Sequence, residues 1–127
     1  MTSRFGWRTN PVTGQRQFHT GVDLAAPVGT PVVAPAAGRV VRVDVAGVGR
    51  GEVNGNAVHL VTGGGLRWAF LHLSRVDVAL GQAVRQAQRL GRVGATGRAT
   101  GPHLHLQVTW QGQPIDPVGL YPPGTFT

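Results

Sequence analysis

The sequence predicts a single all-β domain, and three observations predict it. Short valine-rich runs recur along the chain, each bounded by glycine, proline or asparagine. The run "HLHLQV" alternates in character with a period of two, the signature of a strand with one buried face. No segment carries a sustained helical period. The best helical candidate, "DVALGQAVRQAQR" at 77–89, is interrupted by Gly81.

Taken in order, "TPVVAPA" at 30–36 and "GRVVRVDV" at 38–45 read as strand, turn, strand. "NAVHLVT" at 56–62 and "LRWAFLHL" at 66–73 follow, with a glycine run between them. "RLGRVGA" at 89–95 and "HLHLQVTW" at 103–110 complete the series. The glycine-punctuated pattern of 29–43 is echoed at 80–97, and hairpins of that kind also occur in biotinyl and lipoyl carrier domains. Those carriers attach their cofactor to a lysine, and this chain has none. A carrier function is therefore excluded, although a related sandwich topology is not.

At 127 residues and 41% hydrophobic, the chain suffices for one core, and no composition shift marks a linker. Residues 1–127 are read as one domain, with a monomer expected. No run approaches the roughly 20 apolar residues of a membrane helix, so no membrane span is expected. Cysteine is absent, which rules out disulfides and thiolate ligands and leaves histidine and carboxylate as metal donors. The net charge of +7 comes from twelve arginines set against five acids, which favours polyanionic partners. The arginines are scattered and aromatics make up only 6%, so no nucleic-acid partner is expected.

The residues able to do chemistry are five histidines and a few carboxylates. His103 and His105 stand two apart in a strand, on one face, with Leu104 and Leu106 on the other. His19 and Asp23 lie four apart in "FHTGVDL"; in an extended segment that spacing also puts both on one face, away from Phe18, Val22 and Leu24. Two imidazoles and one carboxylate make the donor count of a catalytic zinc, which keeps its fourth position open. The same donors suit an iron facial triad, and spacing alone does not separate the two. There is no HExxH motif, so proton transfer falls to further histidines, His72 in "AFLHLS" among them. His59 in "AVHLV" is read as a structural or surface residue and Asp116 in "PIDP" as a turn residue. Trp7, Trp68 and Trp110 are expected in core or rim, and Asn10 is expected to border the cleft.

Three segments, "FGWRTNPVTGQRQFHTGVDLAAPVGTPVVAPAAGRVV", "FLHLS" and "GATGRATGPHLHLQV", resemble in order the zinc endopeptidases of the lysostaphin and LytM type, peptidase family M23. The resemblance covers roughly residues 3 to 117 and rests on the signature HxxxD, HLS and HxH. It implies an antiparallel sheet or sandwich of duplicated-hybrid-motif type, with a substrate groove over the sheet and little helix. It further implies one Zn2+ held by His19, Asp23 and His105, with His72 and His103 as the catalytic histidines. The implied reaction is hydrolysis of peptidoglycan stems or cross-bridges by a zinc-activated water, in the wall or periplasm of a bacterium. A non-catalytic wall-binding or hydrolase-activating module is the alternative within the same fold. The departures are Leu106 and Gln107 after the HxH motif, Thr62 where a histidine is common, and Ala87 where glycine is more usual.

Overall fold

The computed structural model describes residues 4–9, 13–97, 101–121 and 125. In chain order it contains β1 (Gly6–Thr9), β2 (Arg16–His19), β3 (Val22–Ala25), β4 (Pro31–Val33), β5 (Gly38–Asp44) and the one-turn helix α1 (Gly51–Asn54). Then come β6 (Asn56–Thr62), β7 (Leu66–Val76), β8 (Ala83–Val84), β9 (Arg89–Val93), β10 (His103–Trp110) and β11 (Gln113–Ile115). β1 and β2 form a separate antiparallel ribbon. The remaining strands form one antiparallel sheet of order β11-β10-β7-β6-β5-β8, with β3 on β10, and β9 on β7 carrying β4. The expected all-β architecture is present.

Alternation builds the core. Leu104, Leu106 and Val108 of β10 meet Trp68, Phe70 and Leu73 of β7, with Val58 and Leu60 of β6 beside them, all buried. His103, His105 and Gln107 consequently face away from that core. The Trp68 indole N–H is buried but donates to Thr62 Oγ1 at 2.9 Å. Thr62 thus has a local use at the position where the sequence departs from the family pattern.

β7 breaks its own alternation. Phe70 and Leu73 both reach the core although they stand an odd three positions apart, and the β6 register jumps from Val58↔Phe70 to Asn56↔Leu73. One extra residue is therefore inserted in β7, a β-bulge. His72, at φ 65, has the left-handed backbone conformation that a side chain disfavours.

The helix expected over 77–89 is not formed. Its backbone bonds are used elsewhere: Gly81 N donates to the Val40 carbonyl and Val40 N to the Gln82 carbonyl, which ties the segment to β5. Asp77 is paired with Arg75 and Arg89, and two tight turns place Gly81 at φ 85 and Ala87 at φ 67. Sheet pairing has overridden a weak helical period. The strand expected over 30–36 is also shorter, covering Pro31–Val33.

Ala87 occupies a conformation that suits glycine. Ala87→Gly should raise stability by about 0.5–1 kcal/mol, because the left-handed penalty it removes exceeds the added unfolded-chain entropy. In a thermal melt this is a gain of about 2–5 °C; a lower melting temperature would show that the turn is unstrained.

Candidate metal centre

The centre is assembled by strand register. β10 pairs with β3 on one side and β7 on the other, and His105 sits opposite both Asp23 and Leu71. This places His105 Nδ1 2.7 Å from Asp23 Oδ1. His103, one pleat along, has its Nε2 3.7 Å from the same oxygen.

His19 reaches the carboxylate from a different sheet. The expected extended segment through His19 and Asp23 is instead broken: β2 ends at His19, Thr20 and Gly21 bend, and β3 begins at Val22. Only Val22 of the expected buried residues is fully enclosed. Phe18 is exposed and packs edge-on against Phe5 and Trp7 in the ribbon, and Leu24 is half-buried. The bend still brings His19 Nε2 to 3.6 Å from Asp23 Oδ2. Gly21 makes it possible, since a Cβ there would lie 2.5 Å from the Leu106 carbonyl oxygen and 3.0 Å from His105 Nε2.

His72 completes the group from its bulge. Its ring centroid lies 5.2 Å from that of His103 and 6.1 Å from that of His105. Three imidazoles are oriented in the same way. His19 Nδ1 faces the Arg4 carbonyl, His72 Nδ1 the Thr96 carbonyl and His103 Nδ1 the Gly101 carbonyl, each at 2.8 Å. A carbonyl only accepts, so each Nδ1 carries a proton, and in the neutral imidazole Nε2 is then the nitrogen that has the lone pair. His105 differs, with Nδ1 on Asp23 and Nε2 3.4 Å from Gln107 Oε1, which accepts.

Burial alone would raise the Asp23 carboxyl. The hydrogen bond from His105 and the neighbouring His105, His19 and His103 imidazoles outweigh it and hold the group below its ordinary 3.8. Burial pushes His72 below 6.5, helped by His103 and His105 and opposed by the Thr96 carbonyl and Asp23. At neutral pH the site therefore offers an ionised carboxylate and a neutral His72.

One donor atom each from His19, Asp23 and His105 lie within 4.8 Å of one another. A tetrahedral ion with bonds of about 2.0–2.1 Å requires donors about 3.3–3.4 Å apart. His105 Nδ1 lies 2.7 Å from Asp23 Oδ1 and His19 Nε2 lies 3.6 Å from Asp23 Oδ2, so the two imidazoles approach the carboxylate at its two different oxygens, at distances near that separation. Donor chemistry and geometry thus fit a small divalent ion, and three ligands leave a position open. His72 and His103 stand beside this set.

The other candidates lie elsewhere. His59 is buried on β6, its Nε2 3.1 Å from Asp44 Oδ2, which matches a structural role. Asp116 accepts from the Val118 N–H within its own turn. Trp68 is core, while Trp7 and Trp110 are exposed. Asn10 lies outside the described residues. Not anticipated were the carbonyls of Arg4, Thr96 and Gly101, which no side-chain pattern announces; Gln107, a departure after the HxH motif that bears on tuning of the ligands, contacts His105.

A model of peptidase family M23 matches residues 17–117. The DD-carboxypeptidase/endopeptidase Mpg of Neisseria meningitidis is 42% identical over 120 residues, covering 94% of this chain and 26% of that protein. The peptidoglycan DD-endopeptidase ShyC of Vibrio cholerae is 41% identical over 105 residues, covering 83% and 23%. The chain thus spans about a quarter of the length of these curated relatives. Among solved structures, a zinc-containing peptidase from Vibrio cholerae superimposes with a TM-score of 0.79 at 37% identity, covering 91% of this chain and 34% of that one. A variant catalytic domain of the prophage-encoded M23 protein EnpA from Enterococcus faecalis gives 0.77 at 34%, covering 91% and 86%.

Two outcomes are expected from this geometry. Gly21→Ala should cost about 1–3 kcal/mol in a denaturant titration, because the added carbon meets backbone as well as the imidazole. Unchanged stability would mean that β2 and β3 can part freely. The second concerns His59, which burial, with Arg42 and Arg67, pushes below 6.5 against the pull of Asp44. Below pH 6.5 the unfolded chain binds the proton first, so folded stability falls as pH falls. Asp44, held below 3.8 against its own burial by Asn54, His59 and Arg42, adds a loss of the same sign at lower pH. His59→Gln should flatten the melting temperature profile just below pH 6.5; an unaltered slope would remove His59 as its source.

Proposed function

The chain belongs to peptidase family M23, and on that premise we propose that it is a zinc-dependent endopeptidase cutting peptide bonds in peptidoglycan stems or cross-bridges. The observation that carries the reading is the convergence of five residues from four strands, three as donors and two further imidazoles, oriented through Nδ1, beside them. His19 through Nε2, Asp23 and His105 through Nδ1 are the residues that would hold the ion. Bound there, zinc supplies Lewis acidity, lowering the pKa of a water from 15.7 to about 7 and polarising a carbonyl.

The rest belongs to the protein. Asp23 brings a negative charge that offsets the cation and draws His19 and His105 together. The Arg4 carbonyl fixes the His19 ring so that Nε2 points at the centre. His72 Nε2 and His103 Nε2 share the proton taken from the attacking water, its return to the leaving amine and the stabilisation of the oxyanion. The low proton affinity of His72 suits it to begin the cycle neutral. Relatives named as peptidoglycan endopeptidases and a zinc-containing structural neighbour support the same substrate and metal. On this reading the protein works where that polymer lies, in the bacterial wall or periplasm.

The test is release of new amino groups from purified peptidoglycan by zinc-loaded, chelated and zinc-restored protein. Activity should vanish on chelation and return with zinc. His105→Ala should lose tight zinc binding, whereas His103→Ala should keep the metal and lose turnover by about 10²–10⁴-fold. No release from several wall types, with zinc bound, would favour the wall-binding module instead. A fully active His103→Ala would overturn the division of roles within the HxH pair.

A further inference from the structure

The open face of the sheet continues past the metal centre into a second, differently charged groove. Along β10 the side chains after His105 on that face are Gln107 and Thr109, about 7 and 14 Å further on at strand spacing. Register carries the row across the sheet: Gln107 opposes Ala69, Ala69 opposes His59, and His59 opposes Arg42. These residues border a cavity of about 350 Å³. Ala69, the smallest of them, lies between Gln107 and His59 and forms a depression in the floor. Arg67 from β7 and Arg50 from the turn before α1 stand at its rim.

The charge there is unbalanced. Asp44 is the acid of this region, and it is already engaged: Arg42 grips it through Nε and Nη2 at 2.9 and 3.0 Å, Asn54 donates at 3.0 Å and His59 lies at 3.1 Å. Among the described residues neither Arg50 nor Arg67 has an ion-pair partner, and both are exposed. Two guanidinium groups therefore border a polar trough on the same face of the sheet as the metal centre. Gln107 links the two regions, touching His105 on one side and lining the trough on the other.

We infer that this trough is a substrate subsite, in which Arg50 and Arg67 bind a carboxylate of the peptide whose backbone passes the metal centre. The inference rests on the peptidase reading above and adds to it the charge of the substrate and its place on the sheet. An extended peptide advances about 3.4 Å per residue, so the bound carboxylate belongs to a residue two to four positions from the scissile bond. A planar guanidinium matches a carboxylate in bidentate fashion, which an excess of generic positive charge would not. Arg42, bound to Asp44, holds the floor and does not reach for the ligand.

The test uses the zinc-loaded protein with a synthetic cross-linked stem peptide ending in free carboxylates, and its carboxamide twin. The wild type should cleave the acid form with kcat/KM about tenfold higher, chiefly through KM. The double variant Arg50→Gln/Arg67→Gln should process both peptides at the carboxamide rate, with kcat retained. An equal loss on both peptides, or none on either, would overturn the subsite. Calorimetric binding of the same two peptides to the chelated protein separates the two readings. If neither peptide is cleaved but the acid form still binds about tenfold tighter in wild type alone, the peptidase reading fails and the subsite stands. Equal binding of acid and carboxamide sinks the subsite whatever the turnover.

Discussion

Everything at the metal centre depends on the register of β10. His105 opposes Asp23 on one neighbour and Leu71 on the other, and a slip of one residue would replace it with a leucine. The polar groups favour that register, since the imidazoles around Asp23 outweigh the cost of burying its charge. Leu104, Leu106 and Val108 hold it on the opposite face, each nearly or fully buried. At about 1.5–3 kcal/mol for each such side chain, a slip that exposed all three would cost far more than the sheet could recover. The face that carries His103 and His105 is thus positioned by the apolar face of the same strand.

The same logic explains what was legible in the sequence. Runs such as 56–62 and 103–110 have a face to bury, so their pattern names both strand and register, and His103 and His105 fall on the open face as expected. Among the described residues, the ribbon of β1 and β2 shows no comparable buried apolar row. Phe18 and Trp7 stay exposed, and the strands went unread. The break at Thr20 and Gly21 was hidden because spacing of four suits an extended chain as well as two strands joined by a bend. The bulge at His72 is a tertiary event, visible only when Phe70 and Leu73 are both required in the core. The orienting carbonyls of Arg4, Thr96 and Gly101 are backbone groups that any residue would supply. At 77–89 a helical period was present but lost to hydrogen bonds with β5, which no local pattern encodes.

Strain and confinement collect around the open face for a related reason. A flat strand would direct successive side chains to alternate faces, and Leu71 and His72 would then part company. The inserted residue in β7 turns His72 toward His103 at the cost of a left-handed backbone, an outlier of the kind that persists only when its surroundings demand it. Thr96 meets that demand: its carbonyl holds the His72 ring, while its hydroxyl donates to the Leu73 carbonyl and accepts from Asn56 N–H. The bulge is therefore tied down on both sides of the residue it displaces.

The charge balance follows from where the few acids are used. Of five, Asp23 serves the imidazoles, Asp44 is engaged by Arg42, Asn54 and His59, and Asp77 by Arg75 and Arg89. Asp116 accepts from its own turn. Each of these carboxylates answers a local structural need, and only Glu52 remains to offset the arginines exposed elsewhere. The net charge of +7 is thus a residue of construction as well as a property of the surface. Its consequence is a positive field with a single ionised carboxylate among the clustered histidines, so the sign of the potential is reversed at one point on an otherwise basic surface.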